Sequence, residues 1–95
     1  MKIIIKKVNI DYELVEIDGS LKSMQEIVGG YIEIVRLWND FLLVCNEEGM
    51  LLNLKRHVIG SDVYCGDVLI CKSCGSEMVG LSDDEIEEIV EGLGL

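Results

Sequence analysis

The alternation of hydrophobic and polar positions divides the chain into short strand-like runs and two helix-like segments. Residues 2–8 are mostly β-branched and contain three consecutive isoleucines, which predicts a first strand that is buried at its centre. Residues 12–17 alternate polar and apolar side chains, as a half-exposed strand does. Because only the turn-forming residues 9–11 separate these runs, we expect the two strands to pair as a hairpin.

The next segment has helical periodicity. Its apolar residues recur on one face: Leu21, Met24, Ile27 and Val28. Ser20 precedes them as an N-cap, since its hydroxyl can accept a hydrogen bond from an unpaired amide of the first turn. Gly29 and Gly30 end the pattern, because glycine readily adopts the left-handed conformation that stops a helix. These signals predict a helix at about residues 20–29.

The middle of the chain favours strands. Residues 31–37 alternate in polarity, and residues 41–45 are apolar throughout, which is typical of a buried strand. The Asn-Glu-Glu-Gly sequence at 46–49 is typical of a turn, so a further hairpin is predicted from Phe41 to Leu54. Residues 55–66 show no clear period and are predicted to be a loop with one helical turn.

The last third of the chain predicts one strand and one helix. Residues 67–71 are predicted to be a strand, with a turn at 72–75. Ser82 and Glu85 have the spacing of a capping box, and Leu81 and Ile86 have that of a hydrophobic staple. The apolar face continues along the segment: Ile86, Ile89, Val90 and Leu93. A helix at about residues 82–92 follows.

Short connections between these elements favour an α+β fold. We expect a single compact domain over residues 1–95, with a small, mainly antiparallel sheet and both helices packed on one side of it. The chain has 18 acidic and 8 basic residues, and its net charge is −10. This balance argues against direct binding to nucleic acid or to anionic membranes, since both require a basic face.

No apolar segment approaches the roughly 18 residues that span a bilayer, and the first residues do not resemble an export signal. We therefore expect a cytoplasmic protein whose four cysteines are reduced. Six of the acids lie within nine residues near the C-terminus. They are either a solvated helix face or a surface that imitates DNA and attracts a host protein with a basic surface. The candidate partner-binding residues are Asp83, Asp84, Glu87, Glu88, Glu91, Glu47, Glu48 and Trp38.

Trp38 and Phe41 flank a predicted hairpin tip, where they either cap the core or provide aromatic anchors for a partner. A separate basic group could hold a phosphate: Arg36, Lys55, Arg56 and His57. No nucleophile is placed near His57 by a known motif, so no catalytic residue is assigned.

Cys71 and Cys74 form a Cys-x-x-Cys pair that could share a zinc ion with Cys65, Cys45 or His57. Against this, Cys45 and Cys71 lie within apolar strand runs, where cysteine usually acts as a small hydrophobic residue. No second Cys-x-x-Cys pair is present to complete a zinc ribbon. We therefore predict neither a cofactor nor a resident metal.

Residues 24–35 (MQEIVGGYIEIV) and the NEEG turn at 46–49 resemble a family of short proteins of unknown function. These proteins are encoded by bacteriophages and conjugative elements, mostly of Gram-positive hosts. The resemblance continues through Gly66-Asp67 and the LSDDE sequence at 81–85, and it covers about residues 20–90. Residues 51–57 depart from it, because members usually carry proline and asparagine there. The resemblance implies a mobile-element setting in a bacterial host cell and no catalytic role.

The leading hypothesis is a non-enzymatic accessory protein of a phage or mobile element. Its acidic surface would bind a host protein, with a defence nuclease as the concrete case. A first alternative is a homo-oligomer that sequesters a nucleotide immune signal between its subunits. A second alternative is a structural module stabilised by zinc.

Overall fold

A computed structural model describes all residues, 1–95. It contains eight strands and two helices, in this order: β1 (Lys2–Lys6), β2 (Glu13–Glu16), α1 (Leu21–Val28), β3 (Ile32–Arg36), β4 (Phe41–Asn46), β5 (Arg56–Ile59), β6 (Asp62–Cys65), β7 (Val68–Cys74), β8 (Glu77–Val79) and α2 (Asp83–Leu93). The predicted α+β class is confirmed.

The main sheet has the strand order β2-β1-β7-β4-β3, and every pairing in it is antiparallel. The short strand β8 pairs with the end of β7. Strand β7 is central, because Ile70 lies opposite Ile4 on one side and opposite Leu43 on the other. Strands β5 and β6 form a separate hairpin. The two outer strands of the main path, β2 and β3, are its open edges.

The central strands β1, β4 and β7 each contribute to two layers of core, because successive strand residues point to opposite faces of a sheet. One layer includes Ile86 and Ile89 of α2. Its ten buried residues are Ile4, Phe41, Leu43, Cys45, Ile59, Val68, Ile70, Leu81, Ile86 and Ile89. The other layer includes Met24 and Val28 of α1. Its eight buried residues are Ile3, Ile5, Met24, Val28, Leu42, Val44, Leu69 and Cys71.

The two helices therefore lie on opposite faces of the sheet, and the expectation that both pack on one side is wrong. The physical reason is visible in β4. Its six residues are all buried, and its apolar run alternates between the two core layers. A strand that is apolar at every position must be covered on both faces.

Two predictions for the middle of the chain are also wrong. Residues 47–53 form turns and do not return as a strand, because both edges of β4 are already paired with β3 and β7. Residues 55–66 contain the β5–β6 hairpin in place of a loop with a helical turn. Ile59 lies opposite Asp62, so Gly60 and Ser61 form a two-residue connection, with Gly60 at φ +63°. The signal for it is a glycine-serine pair between two β-branched runs.

The predicted helices are confirmed at both ends. The Ser20 hydroxyl accepts a hydrogen bond from the Ser23 amide at 3.1 Å, and Gly29 ends α1 at φ +81°. In α2, both hydrogen bonds of the capping box form between Ser82 and Glu85, at 2.9 and 3.2 Å. The strand predicted at 67–71 is also present, but β7 continues to Cys74 through much of the predicted turn.

Candidate functional site

Helix α2 carries most of the predicted acidic residues, and four polar side-chain contacts hold it, two from the sheet and two from the β3–β4 turn. Lys2 Nζ lies 3.0 Å from Asp83 Oδ1, and Lys72 Nζ lies 2.8 Å from Glu85 Oε2. The hydrogen bond to Lys72 lowers the pKa of Glu85, and the same bond raises the pKa of Lys72. Both contacts lie near the N-terminus of the helix. The other two lie further along the helix, where Trp38 and Asn39 both donate to Glu88 Oε2, Asn39 at 3.2 Å.

Trp38 donates a hydrogen bond from Nε1 to Glu88 Oε2 at 2.7 Å. Its ring packs edge-to-face on Phe41, with centroids 5.7 Å apart. The indole also covers Gly92 so closely that a Cβ there would lie 2.6 Å from the ring. Of the two roles considered for Trp38, the structure therefore shows the core cap, with the indole fastening α2 to the β3–β4 turn.

Three acids of α2 remain free of such contacts. Asp84, Glu87 and Glu91 are exposed, and none has a basic partner within 4.0 Å. They are spaced three and four residues apart, so they lie along one side of the helix. We call these three residues the acidic stripe. Asp83 and Glu88, which were predicted with them, are engaged by Lys2 and by Trp38.

Glu47 and Glu48 are not part of the acidic stripe. They follow the far end of β4, whereas α2 contacts the turn that precedes β4. At about 3.3 Å per residue, the length of β4 separates these regions by about 17 Å. Glu48 is half-buried, and its backbone amide donates to Asn46 Oδ1 at 2.8 Å. The predicted acidic surface is therefore divided between two places.

The four predicted phosphate-binding residues are also separated. Arg36 lies opposite Leu42, near the start of β4. Arg56 lies beyond the other end of β4, because it pairs with Cys65, and Cys65 contacts Gly49 there. The four residues from Leu42 to the end of β4 correspond to about 13 Å, which separates Arg36 from Arg56 along the sheet. His57 Nε2 lies 2.7 Å from the Gly66 carbonyl oxygen, and His57 Nδ1 is buried without a partner. The histidine is thus held against its own hairpin, away from Arg36.

The Cys-x-x-Cys pair lies on β7, where residues three apart point to opposite faces. Cys71 is buried in the core layer beneath α1, and burial raises its pKa to about 11. Cys74 is exposed at the end of the strand, and Cys65 lies beside Gly49. No three side chains of His, Cys, Asp or Glu converge in a metal-binding arrangement. Of the residues considered for zinc, Cys45 and Cys65 line one groove, but Cys71 and Cys74 do not join them.

Comparison with known protein families shows to which family this chain belongs. The model of a domain of unknown function (DUF3846) matches residues 1–94. The chain belongs to the DUF3846 family. This membership agrees with the expectation of a family of unknown function, and the match covers nearly the whole chain. A comparison with curated proteins gives no match, and neither does a comparison with solved structures.

In this DUF3846 protein, the largest groove lies between α1 and the β1–β2 hairpin and was not foreseen from the sequence. Its volume is about 500 Å³. Ile5, Val15 and Ile27 line its apolar part, and Lys7 and Glu13 lie at its rim with their charged atoms 3.6 Å apart.

Neither α1 nor α2 has the length and apolar character that a membrane-spanning helix requires.

Proposed function

We propose that this DUF3846 protein is a non-enzymatic accessory protein of a phage or mobile element that binds a basic surface of a host protein. The observation that carries the proposal is the acidic stripe. Asp84, Glu87 and Glu91 are exposed and unpaired on one side of α2, whereas the other acids of that helix contact the sheet or the cap. The cytoplasm of the bacterial host is the setting that this proposal implies.

The stability of α2 accounts for Asp84, which lies in the first turn where the helix dipole favours an acid, but not for Glu87 and Glu91. Like charges three or four residues apart destabilise a helix slightly. Glu91 lies in the last turn, where the helix dipole favours a basic residue and none is present. A role in binding a partner explains why acids occupy positions 87 and 91.

The partner chemistry follows from the charge. Side chains on adjacent turns are about 5–6 Å apart, so the acidic stripe presents closely spaced negative charges on a rigid support. Complementary charge accelerates association and selects basic partners. A protein site that binds the DNA backbone is such a surface, and the concrete case is a defence nuclease whose DNA-binding site the helix would occupy.

The test reverses the acidic stripe in one variant, Asp84→Lys, Glu87→Lys and Glu91→Lys. Glu88 stays unchanged, because its carboxylate holds Trp38. A matched control reverses three exposed acids that also lack ion pairs and lie off α2: Asp11, Glu26 and Glu77. Each variant reverses three charges, so the net charge of the two changes equally.

Each protein is immobilised and incubated with a bacterial host lysate, and the bound proteins are quantified by mass spectrometry. We expect the wild type and the control to retain a basic DNA-binding protein that the α2 variant loses by at least tenfold. Added duplex DNA should displace that protein. Equal capture by both variants would contradict the proposal, as would capture that duplex DNA does not reduce.

A further inference from the structure

The groove between α1 and the β1–β2 hairpin exists because α1 does not cover the β2 side of the sheet. Helix α1 lies mainly over β3, β4 and β7. In the hairpin, Ile3 lies opposite Val15 and Ile5 lies opposite Glu13, and residues opposite each other in a strand pair share a face. Val15 therefore points to the α1 side of the sheet together with Ile3 and Ile5, and this part of β2 forms an apolar floor beside the helix.

The shape of the groove suits an extended aliphatic chain. Its floor and walls include Ile5, Val15, Ile17 and Ile27, and its volume of about 500 Å³ is that of a small-molecule site. Glu13 and Ile17 both line it, and four residues of extended chain correspond to about 13 Å. The groove is thus long and apolar along much of its length.

The charged side chains of the groove do not balance. Lys7 Nζ lies 3.6 Å from Glu13 Oε1, so these two charges compensate each other. Glu26 and Asp67 also line the groove, and neither has a basic partner within 4.0 Å. Asp67 Oδ1 accepts from the Val8 amide at 3.0 Å, which leaves its second oxygen available to a ligand. Two carboxylates of the groove are therefore uncompensated.

The nearby lysines do not supply the missing charge. Lys6 Nζ donates to the backbone carbonyls of Lys7 and Ile10. Lys22 lies one turn before Glu26 on α1, but it does not line the groove and forms no ion pair. An anionic or neutral occupant would leave the two carboxylates partly desolvated and unpaired. The charge of the groove therefore selects a cation.

We infer that this groove binds an aliphatic polyamine. The methylene chain packs on Ile5, Val15 and Ile27, and two ammonium groups pair with Glu26 and Asp67. A lysine side chain of a partner protein fits less well, because it brings one positive charge to two carboxylates. The groove lies on the α1 face and the acidic stripe lies on α2, on the opposite face, so this inference does not depend on the proposed function.

The first test separates aliphatic recognition from simple attraction to an acidic protein. Isothermal titration calorimetry compares spermidine with hexaamminecobalt(III) at physiological ionic strength. Both are trications, but only spermidine has methylene groups that can pack on the floor. We expect spermidine to bind several-fold more tightly than the cobalt complex. Equal affinities would overturn the inference, as would the absence of saturable spermidine binding up to about 1 mM.

The second test neutralises the two carboxylates in one variant, Glu26→Gln with Asp67→Asn. The asparagine keeps a carbonyl oxygen for the Val8 amide. The matched control is Asp62→Asn with Glu77→Gln, because both acids are exposed, lack ion pairs and lie outside the groove. Each variant loses the same charge, and circular dichroism confirms that each is folded. We expect the groove variant to bind spermidine about fivefold to tenfold more weakly, and the control to change by less than about twofold. Equal weakening would contradict the site.

The third test locates the ligand on the wild-type protein. Spermidine is added to isotope-labelled protein, and the changes in amide chemical shifts are mapped by NMR. We expect them to concentrate in β1, β2 and α1. Changes centred on α2 would overturn the inference, because the polyamine would then bind the acidic stripe. Val15→Thr adds a hydroxyl to the floor with little change of volume, so it should weaken spermidine binding and leave the binding of hexaamminecobalt(III) unchanged.

Discussion

The two faces of the sheet use the same three central strands but are covered to different extents. The α2 face is covered by a helix of 11 residues and by residues of the β5–β6 hairpin such as Ile59. The α1 face is covered by a helix of eight residues, beside which a groove of about 500 Å³ remains, whereas the groove on the α2 face has about 310 Å³. Alternation along the strands thus supplies two apolar layers, and the length of the covering elements decides how completely each layer is closed.

The two helices are also attached differently. Helix α2 is fastened by side-chain contacts from distant segments, of which Trp38 to Glu88 is the most central. Helix α1 packs through Met24 and Val28, and its last turn is held by Asn46, whose Nδ2 donates to the Val28 carbonyl at 3.0 Å. We therefore expect α2 to tolerate perturbation less than α1, and the following measurements test this difference from the largest effect to the smallest.

The largest effect concerns the buried face of each helix. Ile89, on the inner face of α2, is 0% exposed, and Met24, on the inner face of α1, is 3% exposed. We expect Ile89→Ala to lower the free energy of unfolding by about 3–4 kcal/mol and Met24→Ala by about 2 kcal/mol. The cavity left by Met24 lies in the less completely covered face and can collapse more easily. Urea unfolding of both variants measures the difference, and equal losses would remove the contrast between the faces.

The second effect concerns Gly92. Alanine normally stabilises a helix relative to glycine by up to about 1 kcal/mol. Here the added methyl group would meet the Trp38 ring, so we expect Gly92→Ala to cost about 1–3 kcal/mol and to shift the fluorescence of the only tryptophan. As a control, the same substitution in a Trp38→Leu background should cost much less. A stabilised Gly92→Ala protein would show that the indole does not hold α2.

The third effect compares the two N-caps. Ser82→Ala removes the bond that the Ser82 hydroxyl accepts from the Glu85 amide, within a capping box at the attached N-terminus of α2, so we expect a loss of about 1–2 kcal/mol. Ser20→Ala removes the cap bond to the Ser23 amide and an exposed bond to the Ser23 hydroxyl at 3.0 Å, for which we expect about 0.5–1 kcal/mol. Thermal unfolding monitored by circular dichroism measures both losses. A larger loss for Ser20→Ala would reverse the proposed ranking of the helices.

The smallest effect is a pH dependence at the start of α1. The Ser23 hydroxyl donates to Asp18 at 2.6 Å, and the Ser20 amide donates at 2.9 Å. These bonds lower the pKa of Asp18 from 3.8 to about 2. Because the folded pKa is depressed, the stabilisation is complete above pH 3.8 and is lost as the pH falls toward about 2. An NMR titration measures the midpoint of Asp18 protonation, and Ser23→Ala should raise that midpoint. A wild-type midpoint near 3.8 would contradict the assignment.

Much of the fold was predictable because its signals are local. The Ser82 capping box and the helical spacing of residues 21–28 each act within one or two turns of chain, so neighbouring residues suffice to identify them. The β5–β6 hairpin was missed, although the Gly60-Ser61 connection carried a signal for it. The candidate site was only partly predictable. The acidic residues of α2 were identified, but their division into engaged and free carboxylates depends on Lys2, Lys72 and Trp38.

The sequence by itself determined the α+β class, the two helices with their caps, and the buried central strands, since each depends on interactions between residues close in the chain. Only the tertiary structure decided that α1 and α2 lie on opposite faces, that Trp38 holds Glu88, and that β2 and β3 are the open edges of the sheet. These features depend on which distant strands become neighbours. Strand β7, for example, lies between β1 and β4, which are far from it in sequence. Pairing of that kind results from competition among all the strands for burial, so no single segment encodes it.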